Sequence, residues 1–320
     1  MHRLALLVAL LACAACRTTD ARVAHVTSRD AAHGPRVLAV VAHPDDETAF
    51  AAALYQITTR LDGVCDLAVI TNGEGGFKYA TLAERTYGLE LTDEAVGRAE
   101  LPTIRRRELE DSARVLAVRD VWFLGEQDHR YTTDLAEVLG PAARVWDLAR
   151  VRAELDELLA RGRYDLVFTL APTADTHAHH KAATVLALEA ALRRPERERP
   201  VVLCTRVVDA DDPKPLVVEA GVPAIELASG AAPFEVDRRQ TFGFKQSLDW
   251  RVVVNWAIAA HKSQGTMQLA MNRGDREQFY LFRADAPDAT TRARPVFDAL
   301  RAAPFPLRTY GPSAGTNTKP

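Results

Sequence analysis

Beyond its first turns the chain has no apolar run long enough to cross a bilayer, which excludes a bundle of membrane-spanning helices. It has no internal repeat, which excludes solenoids and propellers. It has little charge imbalance. Forty basic residues face 43 acidic ones, and no general pull toward nucleic acid or an anionic membrane follows from that. Cysteine is scarce too, with four in 320 residues and no C-x-x-C metal site. Cys65 and Cys204 each sit in an apolar, strand-like run and are expected as buried free thiols, with a disulfide left open in an oxidising compartment. What is present is ordinary globular material: 48% hydrophobic and 26% charged residues, enough for one large α/β domain or two small ones.

The N-terminus stands apart. Met1-His2-Arg3 supplies positive charge, Leu4 to Ala12 an apolar stretch, and Cys13-Ala14-Ala15-Cys16 a cysteine preceded by small residues. This pattern predicts a signal peptide over residues 1–16 of the bacterial lipoprotein type, with either Cys13 or Cys16 lipidated. An exported protein, held to a membrane surface by its lipid, is the expectation, with simple secretion as the alternative. Residues 17–34 are polar and read as a tether.

From residue 35 the pattern is alternating. Val37 to Ala42 is a continuous apolar run, as in a strand buried on both faces, and is stopped by His43-Pro44-Asp45-Asp46-Glu47. Phe50, Ala53, Leu54, Ile57 and Leu61 follow at helical spacing, and Leu67 to Thr71 forms a second strand. Further strands are expected at 121–124, 165–170, 201–204 and 278–282, and helices at 104–117, 148–162, 180–193 and 248–261. The alternation predicts an α/β fold, a Rossmann-like and mainly parallel sheet with helices on both faces. Residues 77–103 are mixed and read as a long lid or binding loop. The folded domain is expected to span 35–290, with 291–320 as a C-terminal tail.

Ligands bind beyond the carboxyl ends of strands in such sheets. Two polar clusters fall there, His43 to Glu47 and Asp175 to His180, and the second holds three of the nine histidines within four residues. A hydrolytic zinc site takes three nitrogen or oxygen ligands and leaves one position open. His43 and Asp46, three apart at a strand-to-helix turn, can face one point, and His180 can complete the set. Asp45 then remains beside the ion as a candidate general base, and His177 as the donor to a developing oxyanion. Spacing alone does not separate zinc from iron, manganese or nickel. Taken singly, His43-x-x-Asp46 also suits a capped turn, and His177-x-x-His180 an exposed pair at a helix start.

Ala42 to Glu47 resembles the signature of the PIG-L/LmbE-like N-acetylglucosaminyl deacetylases. Thr71 to Gly75, Arg105-x-x-Glu108, Phe123-Leu124-Gly125 with Asp128, and the cluster 177–180 are similar to that family in the same order, over roughly 36–195, with a weaker echo at His261 to Gln264. The resemblance implies a catalytic Zn2+ on His43, Asp46 and His180, Asp45 as base, His177 as transition-state donor, and Arg105 and Asp128 holding sugar hydroxyls. His261 is a further candidate pocket residue, or a helix-end histidine facing the dipole. It implies removal of an acetyl or other acyl group from an N-acetylglucosamine-type sugar or glycoconjugate. A non-sugar acylated amine is the alternative substrate, and a glycan-binding lipoprotein without catalysis the alternative class. Two departures stand out: His179 occupies a position where the family usually has Asp, and Asn72 replaces a common Asp. His179 is expected to be exposed or to support a ligand. Glu47 is expected to support its helix through the dipole, and Arg105, beside Arg106 and Arg107, equally suits a solvated face.

Overall fold

A computed structural model describes residues 22–28 and 33–302, apart from 213, 231 and 286. The signal peptide expected over 1–16, with Cys13 and Cys16, and the chain beyond 302 lie outside the described residues.

The elements run in chain order as β1 (Val23–His25), β2 (Arg36–Val41), α1 (Ala51–Arg60), β3 (Val64–Thr71), α2 (Thr81–Tyr87), α3 (Glu94–Val115), β4 (Asp120–Glu126), α4 (Ala136–Leu139), α5 (Leu148–Gly162), β5 (Leu166–Leu170), α6 (Ala178–Arg193), β6 (Val201–Val208), β7 (Phe234–Asp237), β8 (Thr241–Phe242), β9 (Leu248–Asp249), α7 (Arg251–Ala260), β10 (Arg276–Leu281) and α8 (Ala289–Arg301). Eight strands form one sheet in the order β1-β4-β3-β2-β5-β6-β10-β7. The pairings β4·β3, β3·β2, β2·β5 and β5·β6 are parallel, and β1, β10 and β7 pair antiparallel at the margins. The Rossmann-like α/β expectation holds.

Alternation along the buried strands sends Val37, Ala39 and Val41 to one face, and Leu38 and Val40 to the other. The first face packs Leu54 of α1, Leu109 of α3, Val254 of α7 and Phe297 of α8. The second packs Leu155 of α5 and Leu186 of α6. Cys65 and Cys204 are both buried, one on each face, and no disulfide joins them among the described residues.

After β2 the chain builds β3 and β4 on one side, then places β5 on the other side of β2. The crevice between the ends of β2 and β5 is therefore the switch point of the sheet, where ligands bind in this architecture. Both polar clusters open onto it.

Three sequence readings need correction, and one expected strand acquires a direction. Residues 77–103 are not a long loop: a 3-10 turn over Glu74–Tyr79 leads into α2, and α3 begins at Glu94 with the Asp93 carboxylate capping the Ala95 and Val96 amides at 3.0 Å. Gly97 and Pro102 weaken the helical pattern there, yet Gly97 sits where a Cβ would strike Phe77 and the Leu91 carbonyl. Within the stretch read as a tether, Val23–His25 is a strand on the sheet margin. The boundary drawn at 290 falls inside α8, whose Phe297 stacks on Phe234 with ring centroids 4.6 Å apart. The strand expected at 278–282 runs antiparallel to its neighbours, because the long excursion after β6 returns the chain from the opposite end.

Candidate active site

Val41 and Ala42 end the buried strand, and the chain turns sharply at His43. Asp45 carries this turn at φ 128°, a conformation that costs a non-glycine residue of order 1–3 kcal/mol. It is held by its surroundings. The Asp45 amide donates to Glu47 Oε2 at 3.0 Å, and Thr48 Oγ1 donates to the Asp45 carbonyl at 2.7 Å. Glu47 Oε1 accepts from Ser112 Oγ at 2.5 Å and lies 2.6 Å from His261 Nε2. Glu47 and His261 are both fully buried. Glu47 therefore braces the turn from within, a role beyond the helix-dipole support expected of it. His261, read as a pocket residue, faces Glu47 instead and does not line the cavity.

His43, Asp46 and His180 come together. His43 Nδ1 lies 3.1 Å from His180 Nε2 and 3.7 Å from Asp46 Oδ2, and His180 Nε2 lies 3.2 Å from Asp46 Oδ1. Donors around a tetrahedral zinc at about 2.0–2.1 Å stand roughly 3.3 Å from one another, so the set fits one divalent ion. Asp46 is oriented by the Ala42 and His43 amides, which donate to its Oδ2 at 3.0 and 2.9 Å. His180 is oriented through Nδ1, 3.0 Å from Thr176 Oγ1. Its place follows from α6: His177 caps the helix, its Nδ1 accepting from the His179 amide at 2.9 Å, and His180 sits on the first turn.

A second group shares His43. Its Nε2 faces His179 Nδ1 at 3.2 Å and Asp128 Oδ1 at 3.7 Å, and His179 Nδ1 is 3.4 Å from the same Asp128 oxygen. His43, Asp128, His177 and His179 thus also lie within ligand distance of one another. His179 is 1% exposed, so the reading that it is exposed fails; it stands behind His43 as a support.

The electrostatics follow from burial and proximity. Burial lowers His43 to about 4, and burial with neighbouring imidazoles lowers His177 to about 3, so both rings are neutral near pH 7. Burial, reinforced by adjacent Asp46, raises Asp45 to about 7. Burial would raise Asp46 and Asp128 as well, but the facing histidines outweigh it and hold both below the usual carboxylate range. Burial opposes charge on His180, yet Asp46 prevails and raises it.

Arg105 is not on a solvated face. It is 1% exposed, burial lowers its pKa against the pull of Asp45 and Asp128, and none of its side-chain nitrogens has a hydrogen-bond partner among the described residues. It lies behind Gly73 and Gly76, where a Cβ would collide with the guanidinium. Gly75 gives the same close approach to Asp128, with a Cβ only 2.7 Å from Oδ1. The cavity in front has a volume near 600 Å³ and is lined by His43, Asp45, Asp46, Asp128 and His177, with Tyr131 and Gln264 farther out. Arg105 is not part of that lining. Sequence reasoning missed Ser112 and gave no role to Glu108, which lies on the same face of α3; the Glu108 carboxylate accepts from Ser263 Oγ at 2.6 Å and Tyr87 Oη at 2.7 Å. The only signal for Glu108 was its place three residues after Arg105.

Comparison with known proteins places this geometry. Residues 38–191 match the PIG-L family, described as GlcNAc-PI de-N-acetylase. Two curated relatives, from Bacillus subtilis and Bacillus cereus, both carry the name probable N-acetyl-alpha-D-glucosaminyl L-malate deacetylase 2. They are 24% identical over 171 residues and 25% identical over 166, spanning 53% and 52% of this chain and 67% and 65% of their own lengths. Among solved structures, a deacetylase of teicoplanin biosynthesis superposes with TM-score 0.52 at 18% identity, covering 78% of this chain and all of that one. The deacetylase of the A40926 pseudoaglycone gives 0.50 at 20%, covering 80% and 99%. At such identities these structures speak to the fold alone.

Proposed function

This chain carries a PIG-L-family domain over residues 38–191, and from that premise we propose that it is a zinc-dependent hydrolase of the amide in an N-acylated sugar, of the N-acetylglucosamine type. The observation that carries the reading is the convergence of His43, Asp46 and His180 with Asp45 beside them at the switch point of the sheet. A zinc ion on those three side chains would polarise the amide carbonyl and acidify water.

The chain's own groups do the rest. Asp45 lines the cavity, and a carboxylate with a pKa near neutrality takes a proton from attacking water and later returns it. As the C–N bond breaks, that proton leaves on the nitrogen, giving a free amine and a carboxylate. His177 Nδ1 is occupied as an acceptor from the His179 amide, so its neutral ring carries the proton on Nε2. That N–H is the donor for the carbonyl oxygen as charge develops on it. Asp128 accepts from sugar hydroxyls at the cavity wall. Arg105 adds positive charge behind the glycine loop and steadies the ionised carboxylates rather than touching solvent.

The test is metal analysis of the purified protein with amine release from a panel of N-acetyl sugars and non-sugar amides. Release is expected from the sugars and to fall by about 10²–10⁴ in Asp45→Asn with metal content retained. Unchanged turnover in Asp45→Asn would defeat the mechanism; preference for non-sugar amides would defeat the substrate assignment.

A further inference from the structure

The metal-side cavity is not the only space that reaches Asp45 and Asp46. A second cavity of about 410 Å³ opens on their other side, over the ends of β5 and β6. The two spaces share Asp45, Asp46 and Met267. An amide held at these carboxylates therefore has room on both sides of its carbonyl.

The two walls differ in chemistry. The first presents histidines, Asp128, Thr176 and Gln264. The second presents the aliphatic side chains of Leu170, Val208, Ile258, Met267 and Ala270. Several of its polar groups have partners elsewhere. Arg238 Nε donates to Glu277 Oε1 at 2.9 Å and its Nη2 to the Thr48 carbonyl at 2.8 Å. Asp209 accepts from the Gly274 amide, Asp212 from the Lys214 amide, and Thr48 donates to the Asp45 carbonyl. Arg273 is exposed and marks the mouth. A ligand entering from the carboxylates thus meets these aliphatic side chains, with the exposed Asp209, Asp212 and Arg273 among the charged groups of the lining.

We propose that this cavity receives the acyl chain of the scissile amide, so that the preferred leaving carboxylate is a medium-length aliphatic acid rather than acetate. The proposal rests on the amide-hydrolase reading and adds to it. The sugar occupies the polar cavity, the carbonyl lies at Asp45 and Asp46, and the alkyl chain lies over Leu170 and Ile258. Burial of each further methylene raises kcat/KM about fourfold until the cavity is filled.

The experiment is a series of N-acyl glucosamines from acetyl to octanoyl, assayed for free amine with the metal-loaded protein, beside octyl N-acetylglucosaminide. A rise in kcat/KM with acyl length is expected, with octanoate a stronger competitive inhibitor than acetate. Ala270→Phe, on the half-buried 3-10 turn over Met267–Ala270, is expected to flatten that rise. Turnover that is best for acetyl and falls with length would overturn the proposal and leave the hydrolase intact. A rise with the alkyl aglycone and not with the acyl chain would overturn it by assigning the cavity to the other side of the amide. No release from any member of the series would sink the hydrolase reading and this one together. Should Ala270→Phe fail to fold, the octanoate-to-acetate inhibition ratio decides on the parent protein, and a ratio near one counts against the cavity.

Discussion

His179 Nδ1 lies 3.2 Å from His43 Nε2, inside the protein and behind the candidate metal ligands. If His43 donates through Nε2, its Nδ1 lone pair faces Asp46 and His180, which is the tautomer an ion requires. His179→Ala should therefore weaken zinc binding by about 10–100-fold while leaving all three ligands in place. His179→Asp, which restores an acceptor at the family's usual residue, should recover most of it. Competition against a chromogenic chelator measures both.

His177 has two jobs with separable readouts. Its Nδ1 caps α6, and the residue lines the cavity, where the proposed reaction uses its Nε2. His177→Ala should lower kcat by about 10²–10³ with little change in KM. It should also lower unfolding stability by about 1 kcal/mol through the lost cap. A stability change without a kinetic one would leave His177 as a cap only.

Glu277 is fully buried, its two oxygens accepting from the Ala52 and Ala53 amides at 2.9 Å while Arg238 pairs with it. This carboxylate ties β10 to the first turn of α1, directly after the catalytic loop. Glu277→Ala leaves Arg238 buried without its partner and should cost about 3–5 kcal/mol in urea unfolding. A loss under 1 kcal/mol would show that Arg238 finds water.

Asp285 accepts from the Val202 and Phe282 amides, both at 3.1 Å, yet burial pushes it up to about 6. Because the folded protein holds this proton more tightly than the unfolded chain, its contribution to stability falls as pH rises from about 4 through 6. Asp285→Asn lacks that dependence. Relative to the parent it should gain up to about 3 kcal/mol between pH 4 and pH 7.5, read from paired denaturation curves. A gap that does not move with pH would refute it.

Much of the molecule was legible because its signals are local. Val37 to Val41 is apolar without interruption and lies buried in mid-sheet. The two polar clusters stand at strand ends, and the topology brings them to one crevice. What stayed hidden depended on distant partners. The side chain of Arg105 looks like one of three arginines on a helix surface until Gly73 and Gly76 are seen against it. His261 looked like a pocket residue because nothing near it in the chain announces Glu47, 214 positions away. The N-terminal part of the helix at 94–115, before the stretch expected at 104–117, was masked by Gly97 and Pro102, whose local cost is outweighed by burial of Leu101, Leu109 and Ala113.

The bracing of Asp45 through Glu47 has a consequence for timing. Both oxygens of Glu47 are engaged, so the turn cannot relax its unusual torsion without orphaning groups deep in the interior. The loop is locked into its working shape during folding, before any substrate arrives. In the proposed reaction, encounter then needs no rearrangement of the carboxylate pair, and binding free energy is left to position the sugar and the acyl group.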